Sequence, residues 1–168
     1  VSAEATGLLR TVAPTPGGWM EGMDPLWSLR LGTSADAAWI AELRAEVMRA
    51  DLERVGVYDP TRVRTRFLAE FVPANTRVIA VGSEAVGCIA VRPGVGETWI
   101  EHFYLDTRLQ GRGIGGAVLS HVLDEARVAT TFRINVLRGS PARRLYERHG
   151  FRLESEDGVD LYLVARRG

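Results

Sequence analysis

The chain contains no lysine. All 21 of its basic residues are arginine, and they are matched by 21 acidic residues, so the formal net charge is zero. A balanced charge argues against general affinity for nucleic acid or an anionic membrane, since both need a basic excess. Without lysine a phosphate loop ending in Gly-Lys-Ser/Thr cannot be built. We read the arginine bias first as an effect of codon composition, although arginine is also the better bidentate partner for phosphate and carboxylate. Cys88 is the only cysteine, which excludes an intrachain disulfide, a zinc knuckle and a redox pair. It lies in the apolar run Val86–Val91 and reads as a small buried core residue. No apolar run approaches the roughly 18 residues that mark a transmembrane helix. No basic flank followed by an apolar stretch opens the sequence, so no signal peptide is expected and a cytoplasmic location is the default expectation.

What is present suits one domain with one core: 168 residues, 46% hydrophobic and 25% charged. Residues 1–24 carry Pro14, Pro16, Gly17, Gly18 and Gly22 without periodicity and read as a loosely ordered extension, leaving 25–168 as the folded domain. Leu26–Leu31 reads as a strand. Ser34 is the expected N-cap of a helix over about 35–54, with Ile40, Leu43 and Val47 on one face. Asp59-Pro60 places a cap and a first-turn proline before a second helix, to about Val72, with Val63, Phe67 and Phe71 as its buried stripe. Arg77–Val81, Val86–Val91 and Thr98–Leu105 form a meander, with Gly82-Ser83 and Pro93-Gly94 as turns. A helix over about 113–128 follows, with Leu119, Val122, Leu123 and Ala126 inward, and then a strand over Phe132–Leu137. Ser140-Pro141 opens a short helix that stops at Gly150, and two strands, Phe151–Glu154 and Asp160–Val164, complete the chain. The order βααβββαβαββ describes a mixed α/β, mostly antiparallel sheet of about seven strands. One crossover adds a parallel neighbour, and helices cover both faces.

The segment that carries chemistry is Gln110-Gly111-Arg112-Gly113-Ile114-Gly115-Gly116, between a strand and a helix start. The first N–H groups of a helix lack internal partners and its dipole makes that end positive, so a pyrophosphate can bind there. Glycine leaves room for phosphate oxygens and for unusual backbone angles. Gly111, Gly113 and Gly116 also satisfy the dinucleotide pattern G-x-G-x-x-G, but the context fits poorly. In that fold the turn follows its strand directly and an acidic residue ends the next strand. Here Asp106–Gln110 intervene and the next strand ends Val136-Leu137-Arg138. A mere glycine-rich bend is the bland alternative. It does not explain why glycines sit inside helical turns, where each costs about 1 kcal/mol relative to alanine.

At Gln110, Gly113 and Gly115 the sequence resembles the GNAT superfamily of N-acetyltransferases, whose signature is Gln/Arg-x-x-Gly-x-Gly/Ala after a central strand. The resemblance covers about residues 26–165 in the same element order. It extends to Ala142–Phe151, which is similar to the family's late helix and following strand. It implies acetyl-CoA as donor and no metal. The backbone of Phe103 and Leu105 pairs with the pantetheine arm, Gln110, Gly111, Arg112, Gly113, Ile114, Gly115 and Gly116 cradle the pyrophosphate, and Tyr146 protonates the departing thiolate. Ser140 stands where many members have asparagine, a position with a cofactor contact. The partner implied is a small-molecule or peptide amine, which enters over the two N-terminal helices and the last hairpin. Asp51, Glu53, Tyr58, Asp59 and Asp160 are polar candidates there. A homodimer is compatible with the resemblance.

Acetyl transfer needs a neutral amine, and with a pKa near 10.4 only about one lysine-like amine in 10³ is neutral at pH 7. A base or a water chain must remove the proton, and backbone donors must stabilise the oxyanion. Glu101 is the candidate base. Strict alternation puts it on one strand face with Trp99, Phe103 and Leu105. His102, pointing the other way, and a water chain are the alternatives. Some family members carry their base at the position of Trp99, which cannot act as one. No covalent acetyl-enzyme is required. A non-catalytic acyl-CoA-binding module on the same fold is the competing function, since fold alone does not fix chemistry.

Overall fold

The computed structural model describes residues 27–125 and 130–167. The extension read over 1–24, Leu26 and the helix end that includes Ala126 lie outside the described residues. Seven strands form one sheet: β1 (Ser28–Leu31), β2 (Thr76–Val81), β3 (Glu84–Pro93), β4 (Glu97–Leu105), β5 (Thr130–Leu137), β6 (Arg152–Glu156) and β7 (Asp160–Arg167). Their spatial order is β1-β2-β3-β4-β5-β7-β6. Every pairing is antiparallel except β4 with β5. That exception follows from chain order: a helix must carry the chain back before β5 can lie beside β4.

The helices are α1 (Ala37–Val47), α2 (Arg49–Arg54), α3 (Pro60–Glu70), α4 (Ile114–Asp124) and α5 (Ala142–Arg148). The alternation of strand residues sends them to two cores. Val78, Cys88 and Tyr104 point to one face and pack with Ile40 and Ala41 of α1 and Phe67 of α3. Ile79, Ile89, Ile100, Phe132, Ile134, Leu161 and Leu163 point to the other, under Val118, Leu119, Val122 and Leu123 of α4 and Tyr146 of α5. A smaller cluster joins Leu52 of α2 to Leu137 of β5.

The helix expected over 35–54 is three pieces. It opens at Thr33 rather than Ser34, with a 3-10 turn over Ser34–Asp36. The reason is Asp36. Its buried carboxylate accepts the Thr33 N–H at 2.8 Å, two Arg30 guanidinium bonds at 2.9 and 2.8 Å, and the Trp39 indole N–H at 2.9 Å. The Arg30 guanidinium, followed by Trp39 and the Thr33 amide, holds that carboxyl well below the usual range. The helix breaks again at Met48, where the last turn tightens to ψ −7° between α1 and α2. The other caps agree with the sequence. Asp59 accepts from the Arg62 N–H at 2.7 Å with Pro60 opening α3. Ser140 Oγ accepts from the Ala142 N–H at 3.3 Å. Gly150 takes φ +90° after α5.

Candidate functional site: a split sheet above a glycine turn

β4 and β5 pair only through Glu97↔Thr131, Thr98↔Phe132 and Trp99↔Arg133. Beyond Trp99 the two strands separate, and among the described residues Ile100–Leu105 has no strand partner on that side. Asp106 N–H donates to Val86 of β3 at 2.8 Å. Antiparallel bonding alternates along a strand, so the backbone of Leu105 and Phe103, out of phase with Asp106, aims into the split. Leu105 O accepts the Gln110 side-chain amide at 2.9 Å, which fastens the next turn to the strand end.

That turn is Gln110–Gly116. A 3-10 turn over Thr107–Leu109, capped by Asp106, occupies the interval that fitted no dinucleotide fold. Gly111 has φ +74° and Gly113 φ +85°, the left-handed region. Gly113 is the N-cap of α4, and no side chain caps that end. The N–H groups of Ile114, Gly115 and Gly116 therefore lack intrahelical partners. Apart from their chain neighbours, no described residue has an atom within 4 Å of where a Cβ on Gly111 or Gly113 would stand, so the turn leaves room at both positions. An anion fits such an end by both hydrogen bonding and dipole. Arg112 beside it is exposed.

Tyr146 lies on the same side as α4. Its ring is buried, edge-on to Phe151 at 5.9 Å. Burial pushes its pKa up, so the phenol holds its proton. Among the described residues nothing hydrogen-bonds its hydroxyl, and no buried side-chain polar atom lacks a partner. The hydroxyl therefore reaches open space rather than the dry core. His149 ties this helix to the glycine turn, with Nδ1 against Leu145 O at 2.8 Å and Nε2 against Gly116 O at 3.1 Å.

The opposite face differs from the expected one at a single place. Ala90 pairs with Glu101 and Cys88 with Tyr104, so Ile89 alone faces both His102 and Phe103. This is a β-bulge, and it reverses the alternation within β4. Glu101 keeps Trp99 as a face-mate, as expected, but not Phe103 and Leu105. It joins His102 and Tyr104 on the α1–α3 side. His102 absorbs the extra residue at φ +46°, the one positive φ outside glycine among the described residues. Glu101 is held by Arg92 through contacts of 3.0, 3.2 and 2.7 Å. His102 is edge-on to Phe67 at 5.1 Å, with Nδ1 3.0 Å from Tyr104 Oη and Nε2 3.6 Å from Glu70 Oε2. Burial, then Arg44, lowers the His102 pKa and keeps the ring neutral.

Sequence reasoning missed Tyr104 and Glu70. Tyr104 carried a weak signal, two residues after His102. Glu70 carried none, because nothing in the sequence places the end of α3 over β4. Cys88 is buried, with its thiol against His102 O at 3.1 Å, and burial raises its pKa. Of the acceptor candidates, Asp51 pairs with Arg54 at 2.6 Å and Glu53 with Arg49 at 2.8 Å. Tyr58 lies under Arg49, and Asp59 caps α3. The Asp160 carboxylate accepts from Asn135 at 3.4 Å, and burial raises its pKa. Among the described residues no cluster could hold a metal ion, and no helix is long and apolar enough to cross a membrane.

Residues 73–153, from before β2 to β6, match the acetyltransferase (GNAT) domain family. No curated protein matches the sequence. Among solved structures, the PaiA N-acetyltransferase of Thermoplasma acidophilum in complex with coenzyme A is 18% identical. It covers 84% of this chain and 99% of its own, with a TM-score of 0.70. An acetyltransferase from Thermus thermophilus is 18% identical over 85% of this chain and 98% of its own, TM-score 0.67. N-acetylglutamate synthase of Neisseria gonorrhoeae, complexed with coenzyme A and L-arginine, is 17% identical over 84% of this chain and 33% of its own, TM-score 0.58. At these identities the likeness is one of fold. The split, the glycine turn, α4 and the helix of Tyr146 all fall inside the matched segment, so it is over residues 73–153 that the chain matches the GNAT family of acetyltransferases.

Proposed function

We propose that the chain, through a domain over residues 25–168, moves the acetyl group of acetyl-CoA to a primary amine of a small molecule or peptide by direct attack. The observation that carries this reading is the pairing of two open features. The uncapped, glycine-lined start of α4 adjoins the unpaired edge of β4. The first offers N–H donors to a pyrophosphate. The second offers the backbone of Phe103 and Leu105 to the amides of a pantetheine arm, in the manner of an added strand. Gln110 braces the turn, Arg112 stands at its rim and Ser140 opens the helix of Tyr146.

A donor lying along that edge brings its thioester into the split between β4 and β5. The amine approaches from the α1–α3 side. Of the candidate bases, His102 is preferred to Glu101, whose carboxylate is occupied by Arg92. The amine nitrogen attacks the thioester carbon, backbone N–H groups of the split receive the oxyanion, and the C–S bond breaks. The sulfur leaves with the electron pair and takes the Tyr146 proton, and the nitrogen of the adduct gives its surplus proton to the Tyr146 phenolate. Cys88, buried and protonated, supports a reaction without an acetyl-enzyme.

Thermal unfolding with saturating acetyl-CoA tests this first. A ligand at about 100 times its Kd stabilises by about 2.7 kcal/mol, which raises the midpoint of a chain this size by roughly 5–11 °C. Gly113→Val should erase that rise, because valine is strained at φ +85° and its side chain enters the cradle. A shift with NAD(H) and none with acetyl-CoA would sink the reading. Acetylation of an amine panel separates an enzyme from a module that only binds.

A further inference from the structure

Direct attack with a lone histidine base requires neither Tyr104 nor Glu70, yet both close on His102. Tyr104 is buried, and among the described residues its hydroxyl meets one partner, His102 Nδ1 at 3.0 Å. Burial pushes its pKa up, so the phenol keeps its proton. A buried hydroxyl with a single partner donates to it, because an unbonded O–H is costly away from water. Nδ1 is then the acceptor and the ring proton sits on Nε2. Nε2 faces Glu70 Oε2 at 3.6 Å, while Arg66 holds the other Glu70 oxygen at 3.0 Å. Hydroxyl, imidazole and carboxylate thus stand in the order in which a base activates a weakly acidic group and a third residue steadies the base. Tyr104 belongs to the α1–α3 core and Tyr146 to the α4–α5 core, yet the second phenol bears on the ionisation of the first.

We propose that Tyr104, His102 and Glu70 form a relay that takes the acceptor's proton, an inference that rests on the acetyltransferase reading of the same site. An N–H bond of the ammonium breaks and its proton passes to the phenol oxygen, as the phenol proton passes to Nδ1. The freed nitrogen lone pair forms the new C–N bond. The imidazolium keeps its Nε2–H against Glu70, whose charge offsets it. The C–S electron pair leaves on sulfur, which takes the Tyr146 proton, and the nitrogen of the adduct gives its second proton to the Tyr146 phenolate, so the relay keeps one proton, the thiol carries one and the acid is restored.

The groups around the ring set the sign of the pH dependence. Burial, Arg44 of α1 and Arg66 of α3 lower the His102 pKa, whereas Glu70 of α3 and Glu101 of β4 raise it. Tyr104 on its own strand stays neutral, and Cys88 of β3 meets only its carbonyl. The ring must be neutral to take a proton, so the rate rises with pH through a pKa below histidine's ordinary one. Glu70→Gln removes a group that raises this pKa. Its acid limb should move to lower pH while kcat falls for want of the counter-charge.

The test measures acetyl-CoA affinity by calorimetry, kcat against pH with the best amine of a panel, and the His102 tautomer by nitrogen NMR. For Tyr104→Phe, which keeps the ring, kcat should fall by on the order of 10²-fold or more with acetyl-CoA affinity unchanged. The wild-type ring should be Nε2-protonated, and Tyr104→Phe should lose that preference. Wild-type kcat and pH limb in Tyr104→Phe, beside an inactive His102→Gln, would overturn the relay and leave the transferase standing. A wild-type chain that neither binds acetyl-CoA nor acetylates an amine would overturn both. If Tyr104→Phe does not fold, the wild-type tautomer and the Glu70→Gln profile decide, and an Nδ1-protonated ring overturns the proposal.

Discussion

The two ends of the β4–β5 pair are built from opposite materials. At the closed end, where the strands still pair, the surface is a ladder of charges. Arg133 of β5 bonds Glu97 of β4 at 2.6 Å and Glu154 of β6, Glu97 takes the Trp99 indole N–H at 3.0 Å, and Arg92 lies over the Trp99 ring and reaches Glu101. At the open end there is no ladder. Its side chains are two neutral tyrosines and a neutral histidine, and among the described residues the β4 backbone there has no strand partner on the β5 side. The closed end satisfies its groups internally and so fixes where the strands part. The open end leaves groups unsatisfied, which is what a site for a ligand requires.

The contrast can be broken from either end. The largest effect is expected at the open end. Tyr146→Phe removes the proton donor, so kcat should fall by about 10²-fold or more. The unfolding midpoint and acetyl-CoA affinity should barely change, because no described group bonds the hydroxyl. A loss of stability as large as the loss of rate would mean that the phenol is structural. At the closed end, Arg133→Gln should do the reverse. We expect a midpoint lowered by a few degrees and a raised KM for acetyl-CoA as the vertex loosens, with kcat little altered, measured by thermal unfolding and steady-state kinetics.

The smallest effect sharpens the comparison through pH. Arg133, then the Trp99 indole, holds the Glu97 carboxyl below its ordinary pKa. A depressed folded-state pKa adds stability that is fully present above the unfolded value, near 4.3, and is lost as pH falls through the folded one. The gap in midpoint between wild type and Arg133→Gln should therefore be constant near neutrality and narrow below about pH 4. A gap that persists in acid would assign the closed end to packing rather than charge.

Elements with local chemical signatures were legible. Asp59-Pro60, Ser140-Pro141 and Gly150 bound their helices where residue types alone placed them, and the glycine turn announced an uncapped helix start. Long-range effects were not. Asp36 moved the first helical turn to Thr33 because it answers to Arg30 on another element. The break at Met48 has neither proline nor glycine to mark it. The bulge is the instructive miss. Bulges are often flagged by glycine, but here the left-handed residue is histidine, so period-two reasoning ran past it and put Glu101 on the wrong side of Phe103. Candidates chosen from the glycine motif lie together around the split. Those chosen for polarity near the N-terminal helices were absorbed by local pairs, because a carboxylate on an arginine-rich chain finds a guanidinium first.

One extra residue in β4 also has a consequence for traffic. By reversing the alternation in mid-strand, the bulge lets a single strand turn its backbone toward one chamber and the side chains of Glu101, His102 and Tyr104 toward another. In the proposed reaction, donor and acceptor would then approach from opposite sides of the sheet. Neither would have to depart before the other arrives, and the spent carrier would leave without passing the acetylated product.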